Sequence, residues 1–272
     1  MAEVSKVDIV VDEPRSFGWA RTTIFKWVGL LSILFIAWGV VHMFQIEDQL
    51  GLVRIFPFVI GGFAVHSCLP RSRRFVAFLG ITAVTAVYLF GFFNTLWLTG
   101  LVTGFLWITT LDISHRTRVW IVVSAGLLLA VMKAGAIPEL VPSTMITVVA
   151  SMLMFRMIIY LYDLRHEKEA PSFERRLGYF FMLPNLIFPI FPIVDYKVYK
   201  STYYNAEDNT IYERGVLMIV RGVLHLLVYR LVYMYMIPPV EEITGLFDLV
   251  QYLVMSYVTI LRLSGMFHMA VG

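Results

Sequence analysis

Long apolar runs without a charged residue constrain the fold of this chain more than any other feature. Residues 27–46 contain no charged residue, and several runs of similar length follow. Only 15% of the 272 residues are charged and 59% are hydrophobic, whereas a soluble domain carries about 25% charge. So little charge cannot cover a water-exposed surface. The sequence therefore predicts an all-α, polytopic transmembrane helix bundle, and it excludes disorder, collagen and a disulfide-stapled secreted domain.

The apolar runs predict about eight spans, because each span needs roughly 20 residues. Residues 1–26 are predicted to form a cytoplasmic N-terminal tail and residues 27–272 the transmembrane bundle. The stretch 75–111 is too long for one span and is expected to divide near Asn94. The eight predicted spans are 27–46, 53–69, the two halves of 75–111, 119–133, 143–164, 214–236 and 245–272.

One further apolar segment is not expected to cross the membrane. Residues 177–194 contain Pro184, Pro189 and Pro192, and each proline removes a backbone donor and disrupts a helical turn. Irregular backbone at membrane depth is tolerated only where protein or a water-lined cavity covers it. The sequence therefore predicts a proline-broken re-entrant segment.

The basic residues support this topology and orient it. With the N-terminus in the cytoplasm, 16 of the 22 lysines and arginines fall on the cytoplasmic side, and only Arg54 and Lys133 fall outside. Counting the proline segment as a full span would move Lys197, Lys200 and Arg214 outside. Because cytoplasmic loops are rich in Lys and Arg, we expect a cytoplasmic N-terminus in the plasma membrane or the endoplasmic reticulum.

A polar stripe runs along the span that starts near residue 214. Arg214, Met218, Arg221, His225 and Tyr229 recur every three or four residues and therefore share one helical face. Ionisable groups at membrane depth usually face the bundle interior. The stripe is thus a candidate wall of a substrate tunnel. An equal alternative is interhelical pairing with Asp163 or with backbone carbonyls, with Arg214 and Arg230 snorkelling towards opposite interfaces.

Four other polar residues within spans are candidates for a site. Arg156 and Asp163 lie on one face with Tyr160, where structural pairing is the favoured interpretation. Arg262 is a further tunnel candidate, and His268 is a candidate for proton transfer, with a purely hydrogen-bonded role as the favoured alternative. No metal site is predicted, since the six histidines lack ligand spacing. The net charge of +3 gives no reason to expect nucleic acid.

The second half of the chain resembles the membrane-bound O-acyltransferase (MBOAT) family. Its first motif is the helix Arg156-Met-Ile-Ile-Tyr-Leu-Tyr-Asp163, which is followed by a polar loop and the proline-containing segment that leads to Tyr196. The last motif is Leu-Ser-Gly-Met-Phe-His-Met-Ala-Val-Gly at 263–272. The order and spacing of these pieces are similar to those of the family, although Phe191 stands where the family usually has a glycine.

This resemblance implies a membrane-bound O-acyltransferase that transfers an acyl group from a thioester donor to a hydroxyl acceptor. It implies no bound cofactor, with acyl-CoA or an acyl carrier protein as co-substrate and membrane lipids as partners. The family's catalytic histidine would lie beyond Gly272, so the resemblance implies that the chain is an N-terminal portion whose partner is the missing C-terminal portion. A transporter and a non-catalytic membrane scaffold remain alternatives.

Overall fold

The computed structural model describes residues 23–48, 51–138, 141–151, 156–166, 172–182, 186, 196–202 and 208–272. These residues are helical, with turns between the helices and no strand, which confirms the predicted all-α class. The helices are α1 (Thr23–Met43), α2 (Leu52–Cys68), α3 (Arg71–Phe90), α4 (Phe92–Ile108), α5 (His115–Lys133), α6 (Ser143–Ser151), α7 (Ile158–His166), α8 (Phe173–Phe180), α9 (Tyr196–Thr202), α10 (Asp208–Tyr235), α11 (Leu246–Tyr257) and α12 (Ile260–Val271).

Five helical stretches of the described chain are long and apolar enough to cross a membrane. They are Phe25–Met43, Arg71–Phe90, His115–Lys133, Thr210–Tyr235 and Leu246–Val271, the last of which joins α11 and α12. Helices α2 and α4 are apolar but shorter. The predicted number of about eight spans exceeds these five and stays a prediction. The predicted N-terminal tail lies almost wholly outside the described residues.

The buried side chains form two separate cores. The aliphatic core is built by α1, α2, α10 and α12, and Val41, Ile55 and Leu226 are among its fully buried members. The tyrosine core is built mainly by α4 to α9 and buries Tyr160, Tyr179, Tyr196 and Tyr199 together with aliphatic side chains. Helix α3 lies between them, because it packs against both α2 and α4. The polar residues of the two cores therefore have different surroundings.

The aliphatic core has two distinguishable ends. At the lower end, where α1 begins, Lys26 Nζ lies 3.0 Å from Glu213 Oε1 near the start of α10. At the upper end, where α1 finishes, Glu47 contacts Arg262 of α12. Near the same end, Arg230 of α10 donates to the carbonyl of Phe44. Helices α1 and α10 therefore run in the same direction along the core, and positions along α10 can be expressed as heights between these two ends.

A glycine, rather than Asn94, separates α3 from α4. Gly91 has φ +79°, a left-handed conformation that residues with a side chain rarely adopt. The stretch therefore divides into two helices as expected, three residues before Asn94. Asn94 instead belongs to the first turn of α4, where its Nδ2 donates a hydrogen bond to the carbonyl of Phe90 at 2.9 Å.

Helices α1 and α5 end in the same backbone motif. In α5, the amide of Gly135 (φ +75°) bonds the carbonyl of Met132, and the next amide bonds that of Val131, which is a Schellman ending. In α1, Gln45 takes the glycine's place at φ +49°, and Ile46 N bonds Val41 O at 3.0 Å. The buried Ile46 side chain fixes this turn within the aliphatic core.

Most of the predicted re-entrant segment, residues 183–185 and 187–194, lies outside the described residues. Its flanks are described, and they meet. The ring centroids of Tyr179 in α8 and Tyr196 in α9 are 5.3 Å apart. A Cβ built on Gly178 would lie 2.9 Å from Phe75, near the start of α3. The chain therefore leaves and re-enters the described structure at the same end of α3.

Candidate functional site between α10 and α12

Two glycines bring α10 and α12 into backbone contact. A Cβ built on Gly222 would lie 2.8 Å from the carbonyl oxygen of Gly265, and one on Gly265 would lie 3.0 Å from that of Gly222. Seven residues away on each helix, Gly215 and Gly272 approach equally closely. The two helices are therefore antiparallel, and their tight approach brings the side chains beside Gly222 and Gly265 together.

The Gly100-x-x-x-Gly104 motif of α4 has a spacing that often allows close packing of membrane helices, but it has no such contact here. No described atom lies within 4 Å of a Cβ built on either glycine. Both glycines are exposed, so this motif does not bring α4 against another described helix. The glycines that do pack have a spacing of seven residues.

His268 has a defined proton position. Its Nδ1 lies 2.7 Å from the backbone carbonyl oxygen of Ser264, one helical turn earlier. A carbonyl oxygen can only accept a hydrogen bond, so Nδ1 must carry the proton. In the neutral imidazole, Nε2 then carries the lone pair and can act as a base. His268 is therefore not an isolated histidine at a helix end.

The Ser264 hydroxyl connects His268 to His225. Ser264 Oγ lies 3.1 Å from His225 Nδ1 and 3.4 Å from His268 Nδ1. A serine hydroxyl can both donate and accept, and because His268 Nδ1 already holds a proton, we assign the serine proton to His225 Nδ1. In this assignment His225 carries its own proton on Nε2. The two imidazoles, 5.1 Å apart between centroids and nearly perpendicular, thus form a complementary pair of base and hydrogen-bond donor.

Both Nε2 atoms are open towards the edge of the bundle. Neither makes a hydrogen bond within the described part of the chain, and both imidazoles are only half-buried. Residues 213 and 230 of α10 mark the two ends of the core, about 26 Å apart at 1.5 Å per residue. His225 lies between them, about 18 Å from the lower end on the same scale. A polar pair is thus held within the apolar length of the helix.

Arg221 lies one turn from His225 and about 40° further around α10, away from the contact with α12. It is exposed, as are Leu217, Leu224 and Val228 around it. No hydrogen bond or ion pair joins it to another residue of the described structure. The sequence placed Arg221 and His225 on one tunnel wall. The structure instead turns Arg221 outwards and His225 towards α12.

Two other arginines of this region are held at its upper end. Arg262 makes a bidentate contact with Glu47, at 2.5 Å from Nε to Oε1 and 2.7 Å from Nη2 to Oε2. Arg230 Nε donates to the carbonyl of Phe44 at 3.3 Å. Tyr229 is half-buried beside the Arg262–Glu47 pair. These contacts attach the α1–α2 turn to α10 and α12, so Arg262 has a pairing role here.

The remaining two candidates lie in or beside the tyrosine core. Arg156 is 1% exposed and belongs to a π-helical turn that leads into α7. Tyr160, one turn later, is fully buried and contacts Tyr196 with 5.0 Å between ring centroids. Asp163 is half-buried on the same helix and takes part in a hydrogen bond or an electrostatic interaction. Arg156 and Asp163 are therefore separated from the histidine pair.

A buried arginine that the sequence did not mark as a candidate accompanies Arg156. Arg176 of α8 is 5% exposed and donates from Nη1 to Thr109 Oγ1 at 3.1 Å. Thr109 in turn donates to the carbonyl of Leu106 at 2.6 Å. Arg176 adjoins a polar loop in the sequence, so hydropathy gave no signal that it would be buried.

The sequence also missed Ser264 and the role of the glycines. Ser264 carries no charge and lies in an apolar helix, so a search for ionisable residues passes over it. A usable signal was the pair of glycine repeats at seven-residue spacing in the last two apolar runs. Among the described residues, no group of three His, Cys, Asp or Glu side chains could hold a metal ion.

Comparison of the chain with protein-family models, with curated proteins and with solved structures finds no match. The resemblance to the MBOAT family therefore stays a prediction.

Proposed function

We propose that this chain is an integral membrane O-acyltransferase with a cytoplasmic N-terminus. The observation that carries the proposal is the histidine pair between α10 and α12. His268 offers an unprotonated Nε2, and His225 offers a protonated one, on one half-buried edge. A group that accepts a proton and a group that donates a hydrogen bond are what acyl transfer to a hydroxyl requires.

In the proposed reaction, His268 Nε2 takes the proton of the acceptor hydroxyl as its oxygen attacks the thioester carbonyl. The carbonyl oxygen gains negative charge in the transition state, and the Nε2–H of His225 stabilises it by a hydrogen bond. The carbon–sulfur bond then breaks, an ester forms, and the departing thiolate takes the proton from His268. The support for this role of His268 is its geometry, since it is not at the position of the family's catalytic histidine.

Ser264 has a supporting part in this scheme. Its backbone carbonyl accepts the Nδ1 proton of His268 and thereby holds the base in one tautomer and one orientation. As His268 becomes positively charged, that hydrogen bond strengthens, because charged donors form stronger bonds than neutral ones. The serine hydroxyl holds His225 in the complementary tautomer. The proposed acid–base pair therefore depends on one residue of α12.

The charge distribution suits an anionic acyl donor at the lower end. Arg71 and Arg73 start α3 there with exposed side chains, and Arg214 is exposed near the start of α10. An acyl-CoA or an acyl carrier protein carries several negative charges, which such a surface attracts. The same charges favour the lower end as the cytoplasmic side. The meeting of Tyr179 with Tyr196 supports a re-entrant proline segment on that side.

The experiment that tests the function is acyl transfer by the purified chain in lipid vesicles. The substrates are a long-chain acyl-CoA with a radiolabelled acyl group and hydroxyl acceptors from a total lipid extract. Because a positioned base contributes roughly 100-fold or more, His268→Ala should lower the rate of labelled ester formation by at least that factor. His42→Ala, an exposed histidine of α1, is the matched control and should retain the full rate. Equal rates for both variants, or no ester with the wild-type chain, would refute the proposal.

A proton-coupled transporter is the second candidate, and the serine bridge favours it. The chain from His268 through Ser264 to His225 links two titratable groups by hydrogen bonds, as proton transfer requires. Vesicles loaded with a pH-sensitive dye distinguish the two functions. Proton flux without ester formation, abolished by His268→Ala, would select the transporter.

A further inference from the structure

The arginines of the α10–α12 region differ in what surrounds them. Arg262 is paired with Glu47, and Arg230 donates to the Phe44 carbonyl. Arg214 is exposed close to Glu213, at the lower end of the core. Arg221 alone among these four lies away from both ends and makes no hydrogen bond or ion pair with a described residue.

The height of Arg221 makes this exposure costly. It lies about 12 Å along α10 from Glu213, close to the middle of the roughly 26 Å between the two ends of the core. A charged side chain at the centre of a bilayer is strongly unfavourable unless it is paired or reaches water. His225, one turn away, is close enough to interact electrostatically but adds no negative charge. The charge of Arg221 is therefore not balanced within the described structure.

The surface around Arg221 is suited to a helix. Leu217, Leu224 and Val228 are exposed and surround the arginine on one side of α10. By helical spacing these four residues lie within about 60° of one another around the axis. A membrane helix that packs there would contact an apolar strip with one cation at its centre. A single carboxylate on that helix at the same depth would complement this pattern.

We propose that this side of α10 binds a transmembrane helix of a partner protein, and that one carboxylate of that helix pairs with Arg221. The pair would satisfy the guanidinium at a depth where water is scarce, and it would fix the register of the partner against Leu217 and Leu224. This inference does not depend on acyl transfer, because it concerns a neighbouring side of α10 and is measured by association.

A designed probe helix tests the proposal with the purified full chain. The probe is a synthetic peptide of leucine and alanine with lysines at both ends and one central glutamate. Matched peptides carry glutamine or leucine at that position. Cys68 is the single cysteine and is exposed, so it accepts one donor fluorophore. Energy transfer to a labelled peptide in vesicles then reports binding without any partner having been identified.

We expect the glutamate peptide to bind about tenfold more tightly than the leucine peptide, with the glutamine peptide between them. Arg221→Leu should abolish this preference, and Arg221→Lys should retain part of it. Arg214→Leu, which removes a charge from the lower end of the same helix, should leave the preference unchanged. Equal binding of the three peptides, or a preference that survives in Arg221→Leu, would overturn the proposal and leave Arg221 as a side chain that reaches water by itself.

Discussion

The two cores of this protein place their arginines in opposite ways. The tyrosine core encloses Arg156 and Arg176, at 1% and 5% exposure, among aromatic rings and hydroxyl groups. The aliphatic core keeps its arginines at its ends or on its outer side and has glycine contacts at its centre. In the first region Arg176 donates to Thr109 inside the core. In the second region, the histidine Nε2 atoms and Arg221 remain open to other molecules. The tyrosine core therefore encloses its arginines, whereas polar groups beside the aliphatic core stay accessible.

The largest effect is expected from filling the glycine contact. In Gly222→Leu, even the Cβ would lie 2.6 Å from Met269 Cγ, so α10 and α12 must separate. Overpacking of this kind costs about 1–3 kcal/mol, and we expect the upper part of that range for the free energy of unfolding in detergent micelles. Gly104→Leu is the matched control and should change this value by less than about 0.5 kcal/mol. If both variants lost the same free energy of unfolding, the glycine contact would not be what holds α10 against α12.

A smaller effect is expected in the tyrosine core. Thr109→Val removes the acceptor of the Arg176 hydrogen bond and leaves part of a buried charged group unsatisfied. Such a loss costs about 1–3 kcal/mol, which the same unfolding measurement would detect. The control is Thr110→Val, because Thr110 is exposed and, among the described residues, its hydroxyl bonds only the Trp107 carbonyl. If Thr109→Val lowered the free energy of unfolding no more than Thr110→Val does, the hydrogen bond between Arg176 and Thr109 would not stabilise this core.

The smallest effects are expected from the ion pairs at the two ends of the aliphatic core. Glu47 is 7% exposed and binds Arg262, which is 40% exposed, through both oxygens, whereas Lys26 and Glu213 are 34% and 36% exposed and share one contact. Double-mutant cycles with glutamine at Glu47 and Arg262 should give a coupling near 1 kcal/mol, against about 0.2–0.5 kcal/mol for Lys26 and Glu213, because the first pair combines a bidentate geometry with a buried carboxylate. Salt should weaken the second coupling more than the first. A larger coupling energy for Lys26–Glu213 than for Glu47–Arg262 would contradict this ranking of the two ends.

The sequence predicted the helices of this structure better than it predicted their ends and contacts. Helical class and most helix positions followed from the lack of charge, and the predicted run 53–69 differs from α2 (Leu52–Cys68) by one residue at each end. The break at Gly91 was expected three residues later, near Asn94, because a positive φ is a backbone property that hydropathy does not report. The prediction of a tunnel wall that includes Arg221 and His225 used helical spacing alone. Helical spacing cannot show that α12 packs beside His225 and leaves Arg221 exposed.

The candidate site was predictable only in part for a related reason. His225 and His268 were both candidates from the sequence, but in different spans and for different reasons. Their contact depends on two glycines 43 positions apart in the chain, Gly222 and Gly265. Contacts between distant segments are set by tertiary packing, and no local pattern records them. Ser264 gained its role only once that packing was known.

The central claim is that His268 presents an unprotonated Nε2 within the apolar length of the bundle. Solid-state NMR of the full chain in lipid bilayers, with ¹⁵N-labelled histidine, tests it most directly at neutral pH. Comparison with His268→Gln assigns the signals. We expect a His268 ring that is protonated at Nδ1 and unprotonated at Nε2, and a His225 ring of the opposite tautomer. The tautomer of His225 should change in Ser264→Ala but not in Thr109→Val. A His268 ring protonated at Nε2 instead would contradict the account.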